Sequence, residues 1–171
     1  MPSPDIDVYV SVNEFKAYHN ARGNDITDYS DEAIEAALVR GSQFIDAQYG
    51  AKFPGQKTGG RSQTLAWPRE LYDGSYVRDQ EGFEIMPDEI PVEIQDATCE
   101  AALREAASPN SLMPDLERGG AITHMAAGSV EIDYATNAPS QTTFSIIDGI
   151  LAGLLGNVRT SGVAFARVMR G

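Results

Sequence analysis

Side chains able to do chemistry are few in this chain and do not cluster. His19 and His124 lie in different halves of the sequence. Neither stands in a motif with a serine, cysteine or carboxylate that would complete a catalytic triad. His19 reads as a solvated histidine beside a helix end, and His124 as a strand residue. The single cysteine, Cys99, has no disulfide partner and no companion thiol to hold zinc. Within its helical pattern it reads as a buried, inert thiol. Gly55 to Gly60 is glycine-bearing, but it lacks the Gly-Lys-Ser/Thr ending and preceding strand of a phosphate-binding loop. The 25 acidic residues show no spacing that marks a carboxylate pair. These residues predict no enzyme, no metal site and no cofactor.

A different kind of chemistry is suggested by Arg61-Ser-Gln-Thr-Leu-Ala-Trp-Pro-Arg69, which holds the only tryptophan. Pro68 fixes its own backbone and biases Trp67 toward extended geometry. Trp67 can be read as a core anchor that pins the loop. It can also be read as the support of a loop that presents Arg61 and Arg69 to a partner.

The elements around this loop read mainly as helices. Ser11-Val-Asn-Glu14 has capping-box spacing, and Val12, Phe15 and Tyr18 follow on one face up to Gly23. Ser30 caps a second helix, with Asp31 and Glu32 at its positive end. Ile34, Leu38, Gly41, Ile45 and Tyr49 form its apolar stripe, widened by Phe44. Gly41 on that stripe allows a close backbone approach, and Gly50 ends the helix. Residues 51–90 form a long connection, read as an ordered loop folded over the helices because it carries several aromatics. Pro91 suits the first turn of a third, alanine-rich helix. Residues 120–135 alternate as a β-hairpin, and Phe144 to Leu155 reads as a fourth helix. That last helix is so apolar and glycine-bearing that burial nearly all round is expected. Ile147, Ile150, Leu151 and Leu154 are therefore candidate subunit contacts.

The fold class expected is mainly α: a small helical bundle with a long ordered loop, a β-hairpin and a C-terminal docking arm. Residues 1–140 would form the adaptor body and residues 141–171 the C-terminal helix and arm. The arm mixes Arg159, Arg167 and Arg170 with Phe165, Val168 and Met169, and no acid follows Asp148. It reads as an arm that docks on an acidic, partly apolar partner. The whole chain has 13 basic and 25 acidic residues, a net charge of −12. That balance argues against coating nucleic acid, which rests on neutralising phosphates. No apolar run approaches the ~18 residues of a membrane span, and residues 1–7 do not read as a signal peptide. The chain is expected in the cytosol, or assembled there.

The order of these parts, with Leu65-Ala-Trp-Pro-Arg69 and Ile90-Pro-Val-Glu-Ile-Gln-Asp-Ala97 as its most specific runs, resembles the head–tail adaptor (connector or head-completion) proteins of tailed bacteriophages. It is also similar to phage proteins labelled DnaT-like single-stranded DNA-binding proteins. The adaptor resemblance implies a virion protein assembled in the host cytoplasm as a homo-oligomeric ring, a dodecamer. The ring would sit between the portal protein and a tail-completion or stopper protein. Double-stranded DNA would pass through it without specific binding, and no membrane would be involved. The arm of Arg159, Phe165, Arg167, Val168, Met169 and Arg170 would dock on the portal. Arg61, Trp67, Pro68 and Arg69 would anchor the loop or touch a neighbouring subunit. The alternative is a replication protein that binds single strands, which requires aromatics on a basic surface.

Overall fold

The computed structural model describes residues 7–112, 124–127, 130–133 and 144–155. Four helices run in chain order: α1 (Val12–Ala21), α2 (Asp31–Tyr49), α3 (Val92–Ala107) and α4 (Ser145–Leu151). Ser11 and Glu14 close both halves of a capping box at α1, and Ser30 Oγ accepts from the Ala33 amide at the start of α2. The expected helical bundle is not what forms. Among the described residues there are also three two-stranded antiparallel ladders, so the domain is mixed. They are β1 (Gln56–Lys57) with β2 (Arg69–Glu70), β3 (Val77–Arg78) with β4 (Glu84–Ile85), and β5 (His124–Ala127) with β6 (Val130–Asp133). The first two ladders lie in the long connection that reads in sequence as loop. The physical reason is that peptide groups packed over a helical core need partners, and short ladders supply them. The docking arm lies outside the described residues.

The centre of the core is the contact between α2 and α3. Ile34, Ala37, Leu38 and Ile45 on one helix face Ile94, Ala97, Ala101 and Ala102 on the other, all at most 1% exposed. Gly41 is needed there: a Cβ would lie 3.1 Å from the Ala102 amide nitrogen and 3.3 Å from the Thr98 carbonyl oxygen. His19 is buried between α1 and α3, not solvated. One ring nitrogen, Nε2, is 3.1 Å from the Cys99 carbonyl oxygen and the other, Nδ1, is 2.9 Å from the Asn24 side-chain amide. Burial lowers its pKa, so the neutral ring donates from Nε2 and accepts at Nδ1. Burial also pushes the Cys99 thiol up to about 12.

α4 is shorter than the apolar run suggests. Its Ile147 and Leu151, with Leu154 beyond it, are buried in the chain's own core. Phe144 packs edge-on against Phe44, and the Tyr49 hydroxyl donates to Asp148 at 2.6 Å. The positions of Gly149 and Gly153 face open space, so this helix is not enclosed on all sides.

Two polar networks hold the 53–90 segment. Asp46 on α2 accepts from the Tyr9 hydroxyl and, at 2.8 Å, from the Ala66 amide. The Trp67 amide donates to the Tyr9 oxygen at 3.2 Å. Burial raises the pKa of both Asp46 and Tyr9. Arg69 turns inward and donates to the carbonyls of Pro54 and Gly55, both at 2.6 Å, and of Ala66 at 3.1 Å. Trp67, 1% exposed, meets Phe53 edge-on, and the peptide between Trp67 and Pro68 is cis. The Trp67 indole N–H has no acceptor among the described residues.

Trp67→Ala is expected to destabilise the fold by about 3–5 kcal/mol, the usual cost of emptying a buried aromatic site. Trp67→Phe should cost much less, because the indole N–H has no hydrogen bond to lose. Urea unfolding of both variants checks this, and equal midpoints for the two would contradict it. A second outcome concerns Glu105, whose carboxylate accepts from the amides of Asn110 and Leu112 and pairs with Arg40 at 2.7 Å. Burial pushes its pKa up, but the two amides and Arg40 outweigh burial and hold it below the ordinary 4.5. A depressed folded pKa stabilises the fold above the unfolded value, and that stability is lost as pH falls through the folded one. Glu105→Ala should cost about 3–5 kcal/mol at pH 7, since it leaves Arg40 and two amides without their acceptor. It should also flatten the loss of stability below pH 4.5. Denaturant titrations from pH 7 down to 3 read both effects.

Candidate functional site

With Trp67 and Arg69 turned inward, the outer face of the same segment is left to other side chains. In the ladder of β3 and β4, strand alternation puts Val77 and Ile85 inside, 0% and 7% exposed, and Arg78 and Glu84 outside. The buried pair roots the ladder in the core. Around it three rings stand in solvent: Tyr72 at 81%, Phe83 at 67% and Tyr76 at 41% exposure.

The backbone carrying these rings is tightly turned. Asp73 accepts from the amide and the hydroxyl of Ser75, and the Leu71 amide donates to the Ser75 carbonyl at 2.9 Å. Gly74, at φ 78°, makes that turn possible. At the hairpin tip the Phe83 amide donates to the Asp79 carboxylate at 2.9 Å, while the Asp79 amide donates back to the Phe83 carbonyl. Tyr72 and Phe83 are therefore exposed rings on turns closed by their own hydrogen bonds.

Arg78 stands between two hollows and lines both, as does Pro54. The larger, about 570 Å³, is bounded by Leu71, Tyr76 and Glu84. The smaller, about 280 Å³, is bounded by Gln80, Leu154 and Leu155. Arg78 pairs with Glu84 across the ladder. Its side chain is 61% exposed, so the pair is wet and contributes little to stability. Gln80 ties the hairpin to the end of α4: its amide donates to the Gly153 carbonyl at 3.0 Å, and its side chain donates to the carbonyls of Ala152 and Leu155.

No cluster fit to hold a metal ion occurs among the described residues. This face offers exposed π-faces, one guanidinium and two hollows, which is equipment for stacking flat rings. Asp73, Asp79 and Glu84 lie in the same segment, so attraction for phosphate here is weak.

The residues singled out from sequence are dispersed. Arg61 is exposed on a short 3-10 turn, Gly60–Ser62, while Trp67 and Arg69 are buried and Pro68 half-buried. Ile147, Leu151 and Leu154 are in the core, and Ile150 is half-buried. Arg159, Phe165, Arg167, Val168, Met169 and Arg170 lie outside the described residues. Tyr72, Tyr76, Arg78 and Phe83 were not singled out. The available signal was aromatic residues set between turn formers, as in Tyr72-Asp-Gly-Ser and Glu81-Gly-Phe.

No curated protein matches the chain, and no solved structure does. A family model described as "Putative DnaT-like ssDNA binding protein" matches residues 1–171. That match overturns the head–tail adaptor reading. With it go the virion connector, the dodecameric ring, the portal and stopper partners, and the passive channel for double-stranded DNA. The acidic surplus and the apolar run at 144–155 had made a shared, non-adhesive ring attractive. Ile147, Leu151 and Leu154 of that run are buried in the chain's own core, while Ile146 is 46% exposed. Across its full length, the chain belongs to the family described as DnaT-like single-stranded DNA-binding proteins.

Proposed function

We propose that the protein binds single-stranded DNA by stacking unpaired bases on Tyr72, Tyr76 and Phe83, with Arg78 set between two hollows, the larger of which Tyr76 also lines. The observation that carries this reading is the exposure of three aromatic rings on turns rooted in the core through Val77 and Ile85. The family description supports the same ligand. Base stacking tolerates any sequence, because every base has a π-face, and it contributes about 1–3 kcal/mol per base. A duplex hides those faces inside its own stack, so the surface favours single strands.

The net charge of −12 also favours stacking over a phosphate-led mode. Long-range attraction is absent, and the aromatic contacts carry the affinity. No reacting group is required, so the protein acts as a binding module and not as a catalyst.

Tyr72→Ala and Phe83→Ala should each weaken binding of a labelled oligodeoxythymidine about 5- to 150-fold, the equivalent of one lost stack. Both residues are more exposed than buried, so unfolding midpoints should stay within about 0.5 kcal/mol of the parent. Fluorescence anisotropy, with a duplex of equal length as competitor, reads the outcome. Duplex binding as tight as single-strand binding, or full affinity in the double variant, would overturn the reading.

A further inference from the structure

Among the described residues Arg78 is the one basic side chain that lines the two hollows, and a single acid holds it. It stands opposite Glu84 in the ladder register, so the two side chains are neighbours on the outer face. Val77 beside Arg78 and Ile85 beside Glu84 are rooted in the core, so the backbone fixes where both groups start. The hold itself is slight. One terminal nitrogen of Arg78, Nη2, donates to one oxygen, Glu84 Oε1, and this is the only hydrogen bond of either side chain among the described residues. A guanidinium has five N–H donors, so most of its capacity is unused by the pair. Both side chains stand in solvent, 61% and 42% exposed.

Two acids line the hollows with Arg78, and they differ in duty. Asp79, on the smaller hollow, accepts from the Phe83 amide at 2.9 Å and so closes the hairpin tip. Glu84, on the larger hollow with Tyr76, accepts only from Arg78 among the described residues. Arg78 and Pro54 line both hollows, so a strand that crosses from one to the other passes Arg78. Such a strand carries one phosphodiester anion per nucleotide. Its charge equals that of a carboxylate, and a guanidinium can hold two of its oxygens at once. Phosphate and Glu84 therefore compete for one cation, and an exposed single-bonded carboxylate is weakly placed to keep it.

We propose that Arg78 grips a phosphate of the bound strand and that Glu84 is its built-in competitor, which the strand displaces. This rests on the stacking reading and gives the same face its charged contact. In the free protein Glu84 neutralises the guanidinium, so the face does not hold anions by charge alone. Stacked bases bring a phosphate to Arg78 as a tethered group, and the exchange then follows base binding. A duplex, whose bases are not free to stack, has no such advantage. Glu84 thereby favours unpaired strands over other polyanions while lowering the affinity for all of them.

The test uses the full chain with Arg78→Gln, Glu84→Gln, the two combined, and Arg78→Lys. Affinity for oligodeoxythymidine is measured across a salt series, with urea unfolding as the check that each variant is folded. Each neutralised phosphate on a single strand contributes about −0.7 to the slope of log K against log salt. Arg78→Gln should bind more weakly and lose about 0.7 from the magnitude of that slope. Arg78→Lys should keep the slope but not the full affinity, since an ammonium is a point charge and cannot hold two oxygens in a fork. Glu84→Gln should bind about 2- to 5-fold more tightly, the equivalent of releasing an exposed ion pair. That gain should vanish in the Arg78→Gln background, whereas a carboxylate that merely repelled the strand would give the same gain in both. Additive effects in the double variant, or a parental slope in Arg78→Gln, would overturn the proposal and leave the stacking reading standing. If the parent binds no single strand at any salt, both fail.

Discussion

One carboxylate on α2 holds the loop layer to the helices. Asp46 accepts from the Tyr9 hydroxyl and the Ala66 amide, and Tyr9 accepts in turn from the Trp67 amide. The segment before α1, the middle of the core and the 53–90 connection meet at this point. Its burial is costly, which is why its pKa and that of Tyr9 are raised, and the hydrogen bonds offset that cost. With the inner side of the connection fixed here and by Arg69, its outer side can carry exposed rings on short turns. A long loop without such a fastening would have lost Tyr72 and Phe83 to collapse onto the core.

The helices are the part most legible in the amino-acid sequence. The capping box at Ser11 and the cap at Ser30 rest on local rules, and local rules act within a few residues. Gly41 was legible for the same reason: a small residue on an apolar stripe implies a near neighbour, and Ala102 is that neighbour. The ladders were not legible. Two-residue strands such as Val77–Arg78 have no periodicity to read, and their pairing depends on turns several residues away. The burial of His19 was missed because its partners, Asn24 and the Cys99 carbonyl, come from two different stretches.

The site was less legible than the fold. Trp67 drew attention as a rare residue, yet rarity says nothing about which way a ring faces. Arg69 shows the same limit. Beside a tryptophan it suggests a cationic handle, but four residues of its own loop supply carbonyls that draw it inward. The expectation that α4 is buried nearly all round meets the same limit: Ile147 and Leu151 are buried within the chain, while Ile146 is exposed. Apolar content measures how much burial is wanted, not who provides it, and here Phe44 and Tyr49 of the same chain do.

The bonds from Gln80 to the end of α4 carry one more implication. A hairpin tip and a helix terminus are ordinarily among the first places to fray, and each would open independently. Here the carbonyls that finish α4 are also the acceptors that seat the tip. Loosening of either end removes hydrogen bonds from the other, so opening of the two is coupled through these three contacts. A ligand that steadied the tip would through these bonds also steady the end of α4.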